Sequence, residues 1–165
     1  QYAPGMHITR AGTLADLEQA GHLVEQRVRP DGTFDGWDGR DVLCHLAVYA
    51  RLVGAVMRST AEKRLPTSTE LYGRELTEEE QALTDLDAIN EALRSAYSAL
   101  SYDEGLAFWR AMHAEAVAQV ARLSDAQLEA PGPAAPPNWS RPHLADVVSA
   151  LTQHYEGHMA TEHRT

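Results

Sequence analysis

The stretch Asp41-Val42-Leu43-Cys44-His45-Leu46-Ala47-Val48-Tyr49-Ala50-Arg51-Leu52-Val53 decides the fold class. Its stripe of Val42, His45, Leu46, Tyr49, Leu52, Val53 and Val56 recurs at spacings of three and four, the period of one helix face. It predicts a helix from about 38 to 60. Four more stretches carry the same period. Leu14, Leu17, Gly21, Val24 and Val28 predict a helix over 13–29, opened by Thr13 and ended by Pro30-Asp31-Gly32. Thr77-Glu78-Glu79-Glu80 is a capping box, and Leu83, Leu86, Ile89, Leu93 and Leu100 extend it to a helix over 78–100. A second box at Ser101–Glu104 opens a helix over 102–123 with Leu106, Trp109, His113, Ala116, Val120 and Leu123 on one side. The last helix is expected over 141–163, with a stripe of Leu144, Val147, Val148, Leu151, His154, Tyr155, His158 and Met159.

No segment alternates with period two, so no sheet is expected. A long connection covers about 61–76. Residues 130–137, Ala-Pro-Gly-Pro-Ala-Ala-Pro-Pro, break any helix. The expectation is a single all-α domain over 1–165, a four-helix bundle with long crossover connections and one broken helix. Core sites in such bundles are built from facing helices.

Composition narrows the function. The chain has 165 residues, 44% of them hydrophobic, and a formal charge of −10. That charge argues against nucleic acid and against an anionic membrane surface, both of which are met with Lys and Arg. No apolar run approaches the roughly 18 residues needed to cross a bilayer. The first residues show no basic segment followed by an apolar one. The single cysteine, Cys44, permits no intrachain disulfide and fits a reducing, cytoplasmic setting. A packed thiol is the expectation for it, because it points about 100° away from His45.

Eight histidines are present. His7 and His163 lie near the termini, His143 sits in a first helical turn, and His22 flanks a stripe. His154 and His158 are one turn apart on one helix face, a spacing at which two imidazoles can share an ion. That spacing alone is common, and for the pair by itself two polar-face or hydrogen-bonded histidines are the better explanation. His45 lies inward on a second helix, and a buried imidazole needs a partner. Three inward histidines on two helices suggest a shared ion. Imidazole ligands favour Zn, Ni, Fe or Cu over Mg or Ca, with Zn or Ni foremost. His113, also on a core stripe, could be a fourth ligand, a general base or a packed core histidine, and its complete apolar stripe favours the last. Tyr49 and His113 are the candidates for moving protons.

Three segments resemble the DinB-like superfamily. Trp37 to Ala47 resembles its second-helix signature, Ser101 to Leu128 its third helix, and Gln153 to His158 its last-helix metal motif. The resemblance spans roughly residues 13 to 163. That group includes mycothiol-dependent maleylpyruvate isomerases, bacillithiol and mycothiol S-transferases, and colibactin self-protection proteins. In its metal-binding members one His from the second helix joins a His/Glu-x-x-x-His pair from the last, which falls here on His45, His154 and His158. The self-protection branch need not bind metal, and the segment around His113 resembles it somewhat more closely. The resemblance implies a metal-dependent enzyme that uses a low-molecular-weight thiol, mycothiol-like, to transfer to or isomerise a small electrophile. Arg40 or Arg51 would hold a substrate carboxylate. The alternatives are a metal-assisted hydrolase and a self-resistance protein that sequesters a reactive natural product. The resemblance also allows a homodimer.

Overall fold

A computed structural model describes residues 7–34, 36–132 and 141–160. Four helices build the bundle: α1 (Arg10–Arg27), α2 (Gly39–Ala61), α6 (Tyr102–Ala121) and α8 (Leu144–Ala160). The remaining helices are short: α3 (Ser68–Tyr72), α4 (Glu78–Gln81), α5 (Leu86–Ser95) and α7 (Asp125–Glu129). The all-α expectation holds, with one exception. A two-residue hairpin, β1 (Thr33–Phe34) and β2 (Trp37–Asp38), pairs Phe34 with Trp37. Two residues per strand are too few for alternation to register in a sequence. Phe34, fully buried, holds the hairpin on the bundle.

Contacts between side chains set the helix directions. Gly105 of α6 lies against Arg40 and Cys44 near the start of α2, and Gly54 meets Ala116 further along both. The pair α2/α6 is therefore parallel. Arg110 binds Glu25 at 2.6 Å, and the backbone N–H of Arg10 donates to Asp125 Oδ1 just beyond α6, so α1 runs antiparallel to α6. A parallel pair needs a long crossover, and residues 62–101 supply it with α3, α4 and α5.

Local chemistry explains the boundaries. Thr9, not Thr13, caps α1: its side chain accepts from Gly12 N at 3.0 Å. Asp38 caps α2 by accepting from Asp41 N at 2.8 Å. Buried Gly39 follows, where a Cβ would stand 2.1 Å from the Arg29 carbonyl oxygen, so only glycine lets the chain leaving α1 pass this close. Both predicted capping boxes, at Thr77 and Ser101, are present. The helix expected over 78–100 is broken instead: α4 stops at Gln81, and Asp85 caps a new helix by accepting from Asp87 N. Thr84 and Asp85 offer the backbone a competing side-chain acceptor at that point. The helix over 102–123 stops at Ala121, and Ser124 caps the separate α7. The last helix is described from Leu144 to Ala160. Its start, expected at 141, falls at Leu144 instead, and the end expected at 163 lies outside the described residues.

The core collects Leu17, Leu43, Leu46, Leu52, Met57, Trp109, Leu123, Leu151 and Tyr155, each at most 2% exposed. Each such side chain stabilises the fold by about 1.5–3 kcal/mol relative to exposure. Helix α2 is by length and composition apolar enough to cross a membrane, but 83% of its most apolar window is buried. It is the core helix of the bundle, with α6 and α8 along it and α3 and α5 beside it.

Candidate metal centre

His45 sits in the second turn of α2 and is 8% exposed. It faces α8, where His154 and His158 stand one turn apart. The buried line of α8 is Leu151, Tyr155 and Met159. His154 and His158 are half-buried on its flank, rather than in the centre of the apolar face as their register suggested. That flank meets α2. The Nε2 atoms of His45 and His154 lie 2.8 Å apart. Ring centroids of His158 lie 4.9 Å from His45 and 4.7 Å from His154. One ligand nitrogen from each of the three falls within a 4.8 Å set.

The electrostatics keep His45 and His154 neutral. Burial pushes the His45 pKa down to about 2, and charge on His154, His158 and Arg94 would push the same way. Burial lowers His154 to about 4, with His158 adding to the effect and Asp87 opposing it. Neutral imidazoles present lone pairs at physiological pH, which is what a metal ligand requires. The His45 Nδ1 is buried with no hydrogen-bond partner among the described residues, so the polar contacts of this ring are on its Nε2 side. Three converging imidazoles fit Zn, Ni, Fe or Cu.

Aromatic walls surround the triad. Tyr49, one turn beyond His45, lies 5.0 Å from its ring and 4.1 Å from His154. Trp37, from the hairpin, meets His45 edge-on at 4.7 Å and lies parallel to His158 at 6.1 Å. The Arg94 guanidinium stands 4.9 Å from the Trp37 ring centroid and is paired with Asp41 at 3.0 Å and with Glu91. The Tyr49 hydroxyl donates to Asp87 Oδ1 on α5. Burial first, and then this carboxylate, raise the phenol pKa above its usual value.

The structure places the other candidates elsewhere. His113 stacks on Trp109 at 5.1 Å and 12°, and its Nδ1 lies 3.3 Å from the Tyr155 hydroxyl. Its imidazole edge rests on Gly21 of α1, where a Cβ would come within 2.3 Å of Nε2. The ring is half-buried, packed between Gly21, Trp109 and Tyr155. Burial lowers its pKa to about 4. The Arg40 guanidinium binds Asp41 at 3.0 Å and the Ser98 carbonyl at 2.8 Å. Arg51 donates to Tyr97 Oη at 2.8 Å and lies over Phe108. Both guanidiniums are thus engaged within the protein. Cys44 is a buried thiol whose pKa rises to about 11, chiefly through burial. His143 precedes α8, and its Nδ1 lies 2.6 Å from the Glu129 carbonyl oxygen at the end of α7.

Trp37, Asp87, Asn90 and Arg94 were not singled out as site residues in the sequence. Trp37 precedes His45 by two helical turns, a spacing that could have placed it nearby. Asp87, Asn90 and Arg94 arrive through the crossover and carry no local signal.

A helical bundle with a histidine triad between two of its helices is the class of protein this geometry defines. The DinB superfamily model matches residues 14–161, and the chain belongs to that superfamily. It is similar in fold to an uncharacterised protein of Escherichia coli UTI89, at 19% identity and a TM-score of 0.65, over 96% of this chain and 94% of that one. No curated protein matches the chain.

Proposed function

We propose that this chain is a metal-dependent enzyme in which His45, His154 and His158 hold the ion. It uses a low-molecular-weight thiol, mycothiol-like, to transfer to or isomerise a small electrophile. The observation that carries the metal is the convergence of three imidazoles within 4.8 Å, one buried and two half-buried. A divalent transition metal bound there supplies the positive charge that keeps a coordinated thiol ionised near neutral pH. Trp37 and Tyr49 exclude water from one side of the triad and offer apolar walls to an electrophile. His113, seated on Trp109 and Gly21, takes no part in this proposal. The thiol itself rests on the family likeness, and a reducing compartment suits the lone buried Cys44.

Hydrolysis of a reactive natural product is a second reading, and the Tyr49–Asp87 hydrogen bond favours it. A phenol whose proton is held in a hydrogen bond to a carboxylate keeps lone-pair capacity with which to orient a water molecule. Cobalt-substituted protein separates the two. The thiol reading expects a thiol to shift the visible spectrum and to start turnover of an electrophile such as 1-chloro-2,4-dinitrobenzene, and a chelator to stop both. Turnover of an epoxide or strained ring without thiol, and a spectrum indifferent to thiols, would establish hydrolysis instead.

A further inference from the structure

Tyr49 carries a polarity that the triad alone does not explain. Its one proton is committed to Asp87 Oδ1, and Asp87 is an exposed acid on the first turn of α5. An ionised carboxylate can only accept, so the phenol must be the donor in this bond. What remains on the phenol oxygen is lone-pair capacity. One turn along α5, Asn90 is 0% exposed, and neither atom of its amide has a hydrogen-bond partner among the described residues. Three residues from Asp87 on the same helix, the Asn90 amide lies beside the Tyr49 oxygen. A buried amide left unpaired is costly, so such a group is rarely retained without a partner in the working state. The Tyr49 ring is itself in contact with His154 and His45.

We infer that Tyr49, Asp87 and Asn90 form a polar subsite beside the triad that takes an O–H or N–H group of the bound thiol. Tyr49 is the acceptor. Asn90 lines the rear and, with the ligand seated, donates to the phenol oxygen. Asp87 is a positioning residue: by accepting the phenol's hydrogen bond it fixes which way the hydrogen bond to the ligand runs. The inference rests on the thiol reading and deepens it. It selects thiols that carry a hydroxyl or amide N–H a few bonds from sulfur.

Three small thiols of similar size test it on the cobalt-loaded protein, with dissociation constants read from the visible spectrum. 2-Mercaptoethanol offers a donor, 2-methoxyethanethiol only an acceptor, and 1-propanethiol neither. The wild-type protein should bind 2-mercaptoethanol about fivefold to tenfold more tightly than the other two, the worth of one hydrogen bond. Tyr49→Phe should level the three. Asp87→Ala frees the phenol proton, so 2-methoxyethanethiol should gain affinity, a reversal that mere loosening of the site would not produce. Cobalt content equal to wild type in both variants shows the triad intact. Equal binding of the three thiols to wild type, or a preference that survives Tyr49→Phe, overturns the subsite and leaves the thiol reading standing. No spectral response to any thiol overturns both.

Discussion

The Nε2 atoms of His45 and His154 meet 2.8 Å apart although 109 residues separate them in the chain. Only the packing of α8 on α2 brings them together, so anything that loosens this contact acts on the candidate site. Trp37 is the nearest external support, lying against both His45 and His158. Groups around the ligands of a metal commonly change its affinity by 10–100-fold. Trp37→Ala should therefore weaken zinc binding by about tenfold in competition with a chromophoric chelator. Arg94→Met should weaken it less, because Arg94 acts through the face of Trp37. Unchanged zinc affinity in Trp37→Ala would remove the hairpin from the account of the site.

Gly21 and His113 form a second matched pair. A methyl group at Gly21 would meet the His113 ring at 2.3 Å. Gly21→Ala should cost about 1–3 kcal/mol in urea denaturation, the usual penalty of overpacking. With His113→Ala already in place the same substitution should cost much less, since the obstructing ring is gone. Additive penalties in that double-mutant cycle would show that His113 is not the obstacle.

Acid should destabilise the metal-free protein through its buried histidines. Burial lowers His113 and His154 to about 4, against an unfolded value near 6.5. Between those values the unfolded chain binds more protons than the folded one, so stability falls as pH falls. The contribution is complete above about pH 6.5 and is lost on the way down to about pH 4. Replacing His113 by Gln should flatten this part of the urea midpoint against pH, by roughly 1–2 kcal/mol. An identical pH profile in wild type and His113→Gln would contradict the assignment.

Removing Trp109 should be among the most costly single changes. It is 1% exposed and packs on His113 and Tyr155. Trp109→Ala should lose about 3–5 kcal/mol by thermal or urea denaturation. A loss below 1 kcal/mol would mean that the α1/α6/α8 core is not packed as described.

The sequence showed the fold where period and caps agreed. Helix α2, with its unbroken stripe, and helix α6, opened by Ser101–Glu104, are both where the spacing put them. The break between α4 and α5 was harder to see, because Leu83, Leu86 and Ile89 keep helical spacing across it while Asp85 starts a new cap. The hairpin at Phe34 and Trp37 was too short to show a period. For the site, His45, His154 and His158 were legible because each lies on a helical stripe, and the structure brings their nitrogens together. Asp87 and Asn90 were not, since their place beside Tyr49 depends on how the crossover of residues 62–101 returns to α2. His113 shared the stripe signal, yet its ring turns towards α1 and Tyr155. Period locates a helix face, but it does not say which of two neighbours that face meets.

The central claim is that His45, His154 and His158 jointly hold one transition-metal ion. Elemental analysis of protein purified without chelators, wild type beside the His45→Ala/His154→Ala/His158→Ala variant, tests it most directly. The account predicts about one bound ion per wild-type chain, as for a site of three protein ligands. It predicts a value near zero in the triple variant, and no loss in His113→Ala. Equal metal content in wild type and the triple variant would contradict it.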